Sequence, residues 1–102
     1  MRVIITFCLF INLGFAEIYN VTMSDMKFFP EVLRIKKNDI VIFTNTSNSI
    51  HNVVSIKPKI VSPYLLKGHT FRVKFLNPGK VDYYCELHRA MLMKGTIFIS
   101  EN

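Results

Sequence analysis

With 102 residues, the chain has room for one domain. Its 13 Lys and Arg outnumber its 7 Asp and Glu, but apart from Arg2 they are scattered from Lys27 to Lys94 without a long run. That spread excludes a basic nucleic-acid-binding arm.

Residues 1–16 stand apart from the rest. Arg2 supplies a positive start, Val3 to Phe15 is an apolar run, and Gly14-Phe15-Ala16 offers small residues at cleavage positions. The run is short for a membrane span. It is expected to be a secretory signal cut after Ala16, with an uncleaved anchor as the alternative. Cys8 would leave with the signal. Residues 17–102 then form the domain, with a net charge of about +5, because the leader holds Arg2 and no acid. Cys85 is the one cysteine of that domain, so no internal disulfide can form. An exported lone thiol is a liability unless something caps it, and a metal would.

The chain then shows short β-branched and aromatic runs between turn signals, the pattern of an all-β sandwich of about seven to eight strands. Ile18 to Met23 alternates. Val32 to Ile35 and Asp39 to Thr44 flank Lys37-Asn38, where Asn accepts a left-handed turn. Ile50 to Ser55 is the next expected strand. Lys57 to Lys67 holds two prolines and reads as irregular connection. His69 to Phe75 puts Phe71, Val73 and Phe75 on one face and Thr70, Arg72 and Lys74 on the other. Asn77-Pro78-Gly79 is a turn, and Val81 to Cys85 and Gly95 to Ser100 close the set. Phe28, Phe29, Phe43, Phe71, Phe75 and Phe98 are expected in the interior between two sheets, with Phe28 a candidate cover for the site described next.

Cys85, His88 and Met93 lie within nine residues, and His51 stands upstream in Ser49-Ile50-His51-Asn52-Val53-Val54. Two His, one Cys and a weak Met form the ligand set of a trigonal blue-copper site. Each residue has a plainer reading. Cys85 could be a small buried hydrophobe, and the histidines ordinary core or surface residues. His69, at the start of a strand, takes that plainer reading and is no ligand. Zinc would accept the two His and the Cys but has no need of the thioether.

Several segments follow one another in a familiar order. Phe28-Phe29-Pro30, Ile35 to Phe43, Asn45, His51-Asn52-Val53-Val54, Lys67-Gly68-His69-Thr70-Phe71 and Tyr84-Cys85-x-x-His88 together resemble a small cupredoxin of the plastocyanin, pseudoazurin and amicyanin type. The resemblance covers nearly all of residues 17–102. It implies a Greek-key β-sandwich holding one type 1 copper, with His51, Cys85, His88 and Met93 as ligands. Met93 precedes Lys94-Gly95, as the family's axial ligand precedes an x-Gly; Met91 has the spacing of the shorter amicyanin loop. Asn52 matches the Asn whose side chain ties the ligand loops together. The implied function is a periplasmic, or otherwise exported, one-electron carrier that is not an enzyme. It would work as a monomer with redox protein partners, docking around His88 through Arg89, Ala90 and Met91, with Pro63 nearby. Tyr84 is a second exit or simply an outward-facing aromatic. The positive charge suits an acidic partner; a basic surface with no chosen partner is the other reading. Copper chaperoning or storage is the alternative function. A thiol enzyme using Cys85 and His88 would need an oxyanion hole and a cleft. The sequence departs from the family at Leu87, where relatives carry proline. Proline has no N–H, so the Leu87 amide is expected to be free to donate to the Cys85 sulfur.

Overall fold

The computed structural model describes residues 15–102; most of the expected signal, residues 1–14, lies outside them. Nine strands are present among the described residues: β1 Ile18–Ser24, β2 Lys27–Phe29, β3 Val32–Lys36, β4 Ile40–Asn45, β5 Val54–Ser55, β6 Ile60–Val61, β7 Thr70–Lys74, β8 Gly79–Tyr84 and β9 Lys94–Ser100. They form a four-stranded sheet ordered β2-β1-β4-β7 and a five-stranded sheet ordered β3-β9-β8-β5-β6. Strand β1 runs parallel to β4, and β3 parallel to β9. The chain therefore crosses between sheets repeatedly, as a Greek-key sandwich requires. No helix among the described residues is long and apolar enough to cross a membrane.

The core follows from period-two burial on facing strands. Val21, Met23, Val41 and Phe43 come from one sheet, and Val81, Tyr83, Ile97 and Ile99 from the other. Tyr83 receives Phe28 at 4.7 Å and Phe43 at 5.3 Å between ring centroids, both edge-on. Such pairs add about 0.5–1.5 kcal/mol each beyond burial. Phe28 is thus a core residue. Two of the expected interior aromatics are not. Phe29 is 71% exposed, and Phe98 lies on the outer face of β9 beneath the Arg34 guanidinium, 4.6 Å from its ring centroid. Both alternate out of phase with buried neighbours, Phe28 in β2 and Ile97 and Ile99 in β9.

Asn38 does take the left-handed turn, at φ 76°. Its neighbour Asp39 is buried and accepts the amides of Glu17 (2.9 Å) and Lys36 (2.8 Å), anchoring the start of β1 to the β3–β4 corner.

The count exceeds seven to eight because β2 is a strand and Lys57 to Lys67 contributes β6. The expected strand over Ile50 to Ser55 shrinks to Val54–Ser55. His51, Asn52 and Val53 are buried in succession, which an alternating strand cannot achieve. Their backbone bonds instead to the following loop. His51 N–H donates to Leu65 O (3.1 Å), Leu65 N–H to His51 O (2.7 Å), and Ser62 N–H to Val53 O (2.9 Å). This packing seats His51 where the chain passes from one sheet to the other.

Candidate metal centre

Cys85 directly follows β8, and Met93 directly precedes β9. The β8–β9 ladder pairs Tyr84 with Lys94, and Cys85 N–H donates to Met93 O at 3.0 Å. The spacing of eight residues thus reflects a hairpin mouth with Cys85 and Met93 facing across it. Met93 is 1% exposed and Met91 65%. Only Met93 is placed inside.

The intervening residues Glu86–Met91 form a 3₁₀ helix, kinked at His88 (φ −124°, ψ 28°). His88 N–H returns to Cys85 O at 3.2 Å. The loop closes through Leu92 in the left-handed region at φ 60°, with Met93 N–H donating to His88 O (3.4 Å). One tight turn therefore presents the thiol, the imidazole and the thioether.

His51 and Cys85 are fully buried, and His88 is half-buried. The donor atoms form a compact triangle. His51 Nδ1 and His88 Nδ1 are 3.1 Å apart, Cys85 Sγ is 3.7 Å from His51 Nδ1, and Cys85 Sγ is 3.5 Å from His88 Nδ1. A point equidistant from the three lies about 2.0 Å from each, close to ordinary metal–nitrogen and metal–sulfur bond lengths of about 2.0–2.3 Å. Two imidazoles and a buried thiol at that spacing, with a buried thioether alongside, fit copper by both geometry and softness. Burial, and then the nearby His88, lower the His51 pKa below the ordinary 6.5. That shift favours the neutral imidazole, the state that binds metal.

The ligands are braced from outside. Asn52 N–H donates to Cys85 Sγ at 3.5 Å. Its side chain accepts the Glu86 amide (2.8 Å) and donates to Glu86 Oε1 (3.2 Å). The Leu87 amide, expected to donate to the sulfur, makes no such bond among the described residues. The chain enters the 3₁₀ helix directly after Cys85, and the sulfur takes a backbone donor from Asn52 instead. Ser47, which reading the sequence did not single out, stands 2.9 Å from His51 Nε2. Its only signal was position, four residues before His51 and two after Asn45. His69 lies outside the cluster, exposed, and its Nδ1 accepts the Leu66 amide at 3.2 Å.

Around His88, Leu87, Arg89, Ala90, Met91 and Leu92 are exposed. Arg89 lies over the Tyr84 ring, 4.5 Å from its centroid.

A two-sheet sandwich with this donor set defines a blue-copper domain. The chain matches the copper-binding proteins of the plastocyanin/azurin family over residues 17–100, and it belongs to that family. It is 34% identical to amicyanin-alpha of Methylorubrum extorquens over 84 residues, covering 78% of this chain and 69% of that protein. It is 33% identical to the chloroplastic plastocyanin of Chlamydomonas reinhardtii over 85 residues, 72% of this chain and 59% of that protein. Among solved structures, an oxidized amicyanin mutant superposes with a TM-score of 0.74 at 23% identity, covering 79% of this chain and 80% of that one. A copper-containing nitrite reductase from Thermus scotoductus superposes at 0.75 with 27% identity, covering 90% of this chain but 25% of the enzyme. His51, Cys85, His88 and Met93 are arranged as a type 1 copper site.

Proposed function

We propose that this chain is an exported one-electron carrier, cut after Ala16 and working in a periplasm or comparable compartment. The observation that carries the reading is the close triangle of His51, Cys85 and His88 donors, held in a buried, hydrogen-bonded frame. Copper, when bound, supplies a Cu(I)/Cu(II) couple. The protein's part is to hold the donors still. Cys85 is tied to Met93 and Asn52, and His51 to Ser47 and Leu65. Little then needs to rearrange when an electron enters or leaves. Burial of Cys85 also shields the thiol from the oxidising chemistry that threatens an exposed one. A copper chaperone would be better served by donors open to solvent than by His51 and Cys85, both inaccessible here.

His88 is the half-buried ligand, and exposed Leu87, Met91 and Leu92 surround it in the same turn. This apolar face is the proposed contact for the redox partner. Beside it runs a groove lined by Lys57, Lys80, Arg89 and Lys94, with Glu31 and Asp82 as the acidic members. That local excess of positive charge supports an acidic partner, drawn in mainly through the association rate. We take the working form to be a monomer. The test is cyclic voltammetry on the copper-loaded protein. A reversible one-electron wave supports the carrier role, and copper that leaves the protein on reduction sinks it.

A further inference from the structure

We propose that Ser47 is a positioning residue that holds His51 in the tautomer carrying its proton on Nε2, so that the Nδ1 lone pair faces Cys85 and His88. The proposal follows from a proton inventory around Asn45 and Ser47.

Asn45 is fully buried. Its Nδ2 donates both hydrogens to carbonyls, Ser49 O (2.7 Å) and Leu65 O (2.7 Å). That fixes the amide orientation, so Oδ1 can only accept. Two groups approach Oδ1: Ser47 N–H at 2.8 Å and Ser47 Oγ at 2.8 Å. The second contact is a hydrogen bond only if the hydroxyl donates; otherwise two oxygens face each other with no proton between them. A serine hydroxyl has one hydrogen and two lone pairs. Spending the hydrogen on Asn45 leaves Oγ as an acceptor. Ser49 N–H takes one lone pair at 3.2 Å, and His51 Nε2 at 2.9 Å takes the other as donor. Directing the hydroxyl to Ser49 O at 3.2 Å gives the same result for His51. Only donation to Nε2 would reverse the tautomer, and it would leave Asn45 Oδ1 and Ser47 Oγ in unrelieved contact. With Nε2 protonated, Nδ1 is a bare acceptor.

One buried amide thus selects the ligand nitrogen of a residue six positions away, through one hydroxyl. It also links two loops, since Asn45 is bonded to Leu65, whose backbone pairs with His51. Partners of this kind on the far nitrogen commonly alter metal affinity by about 10–100-fold.

The inference rests on the copper-site reading only for its affinity arm. The primary test is long-range ¹H–¹⁵N correlation on histidine-labelled metal-free protein, well above pH 6.5. Wild type and Ser47→Thr, which keeps the hydroxyl, are expected to show His51 protonated at Nε2. Ser47→Ala is expected to show a mixture including Nδ1–H. Cu(II) affinity should fall about 10–100-fold in Ser47→Ala and recover in Ser47→Thr. A wild-type His51 protonated at Nδ1 overturns the proposal, and so does a Ser47→Ala tautomer identical to wild type. If Ser47→Ala does not fold, the tautomers of wild type and Ser47→Thr decide. If the tautomer is as expected while no blue copper band forms, the copper reading fails and the positioning role stands.

Discussion

Asn52 and Glu86 form a two-way bond between the segments that carry His51 and Cys85. The Glu86 amide donates to Asn52 Oδ1 at 2.8 Å, and Asn52 Nδ2 donates to Glu86 Oε1 at 3.2 Å. The same residue's backbone reaches the Cys85 sulfur at 3.5 Å. Asn52→Ala removes the side-chain bonds and takes the partner from the amide of exposed Glu86, which costs about 0.5–1.5 kcal/mol. Thermal denaturation of the metal-free variant should show that loss. Its copper-loaded form should also show a changed midpoint potential, since the segment carrying Asn52 N–H is no longer held against the sulfur.

Met93→Leu should raise the midpoint potential, because it removes a thioether that favours Cu(II), and the axial ligand is a main control on potential at such sites. Met91→Leu should leave it nearly unchanged, since Met91 is 65% exposed while Met93 is 1% exposed. Voltammetry of both variants decides. The reverse pattern would move the axial role to Met91.

Tyr83 and Gly95 should couple energetically. The Tyr83 hydroxyl is buried without a hydrogen-bond partner among the described residues, and a Cβ at Gly95 would strike it and its ring. Gly95→Ala should destabilise by about 1–3 kcal/mol through overpacking. Tyr83→Phe should be neutral or stabilising by up to about 1 kcal/mol, because it deletes an unpaired buried hydroxyl. The double variant should recover part of the Gly95→Ala loss. Strictly additive denaturant midpoints would show that the hydroxyl is not the obstacle.

Acid should weaken the metal-free protein in a defined window. His51 is held below the ordinary 6.5, first by burial and then by His88. The unfolded chain therefore binds a proton near that pH which the folded chain refuses. The contribution is fully present above pH 6.5 and is lost as pH falls through that value toward the folded pKa. The melting temperature should drop as pH falls below about 6.5, and His51→Gln should flatten that drop. An equal slope in the variant would assign the effect to other groups.

The strand periods, the Asn38 turn and the cluster of Cys85, His88 and Met93 were legible in the sequence because each is local. Alternation in Thr70–Lys74 shows in adjacent letters, and so does the short spacing from Cys85 to Met93. What was not legible depends on contacts across the fold. His51 to Val53 read as strand because the residues suit one, yet the backbone pairs with Ser62 and Leu65. Phe29 and Phe98 read as core by type, but strand phase turns them outward. Leu87 suits a donor to the sulfur by its place in the sequence, but the backbone donor comes from Asn52, across the fold. Ser47 carries no motif of its own, and only its 2.9 Å approach to His51 Nε2 gives it meaning.

The central claim is that Cys85 is a copper thiolate in a site built with His51 and His88. Titrating the metal-free protein with Cu(II) while recording the visible spectrum tests it most directly. An intense thiolate-to-copper band in the red-orange region is expected, saturating at one copper per chain and absent in Cys85→Ser. No such band in the wild-type protein, or an unchanged band in Cys85→Ser, would contradict the account.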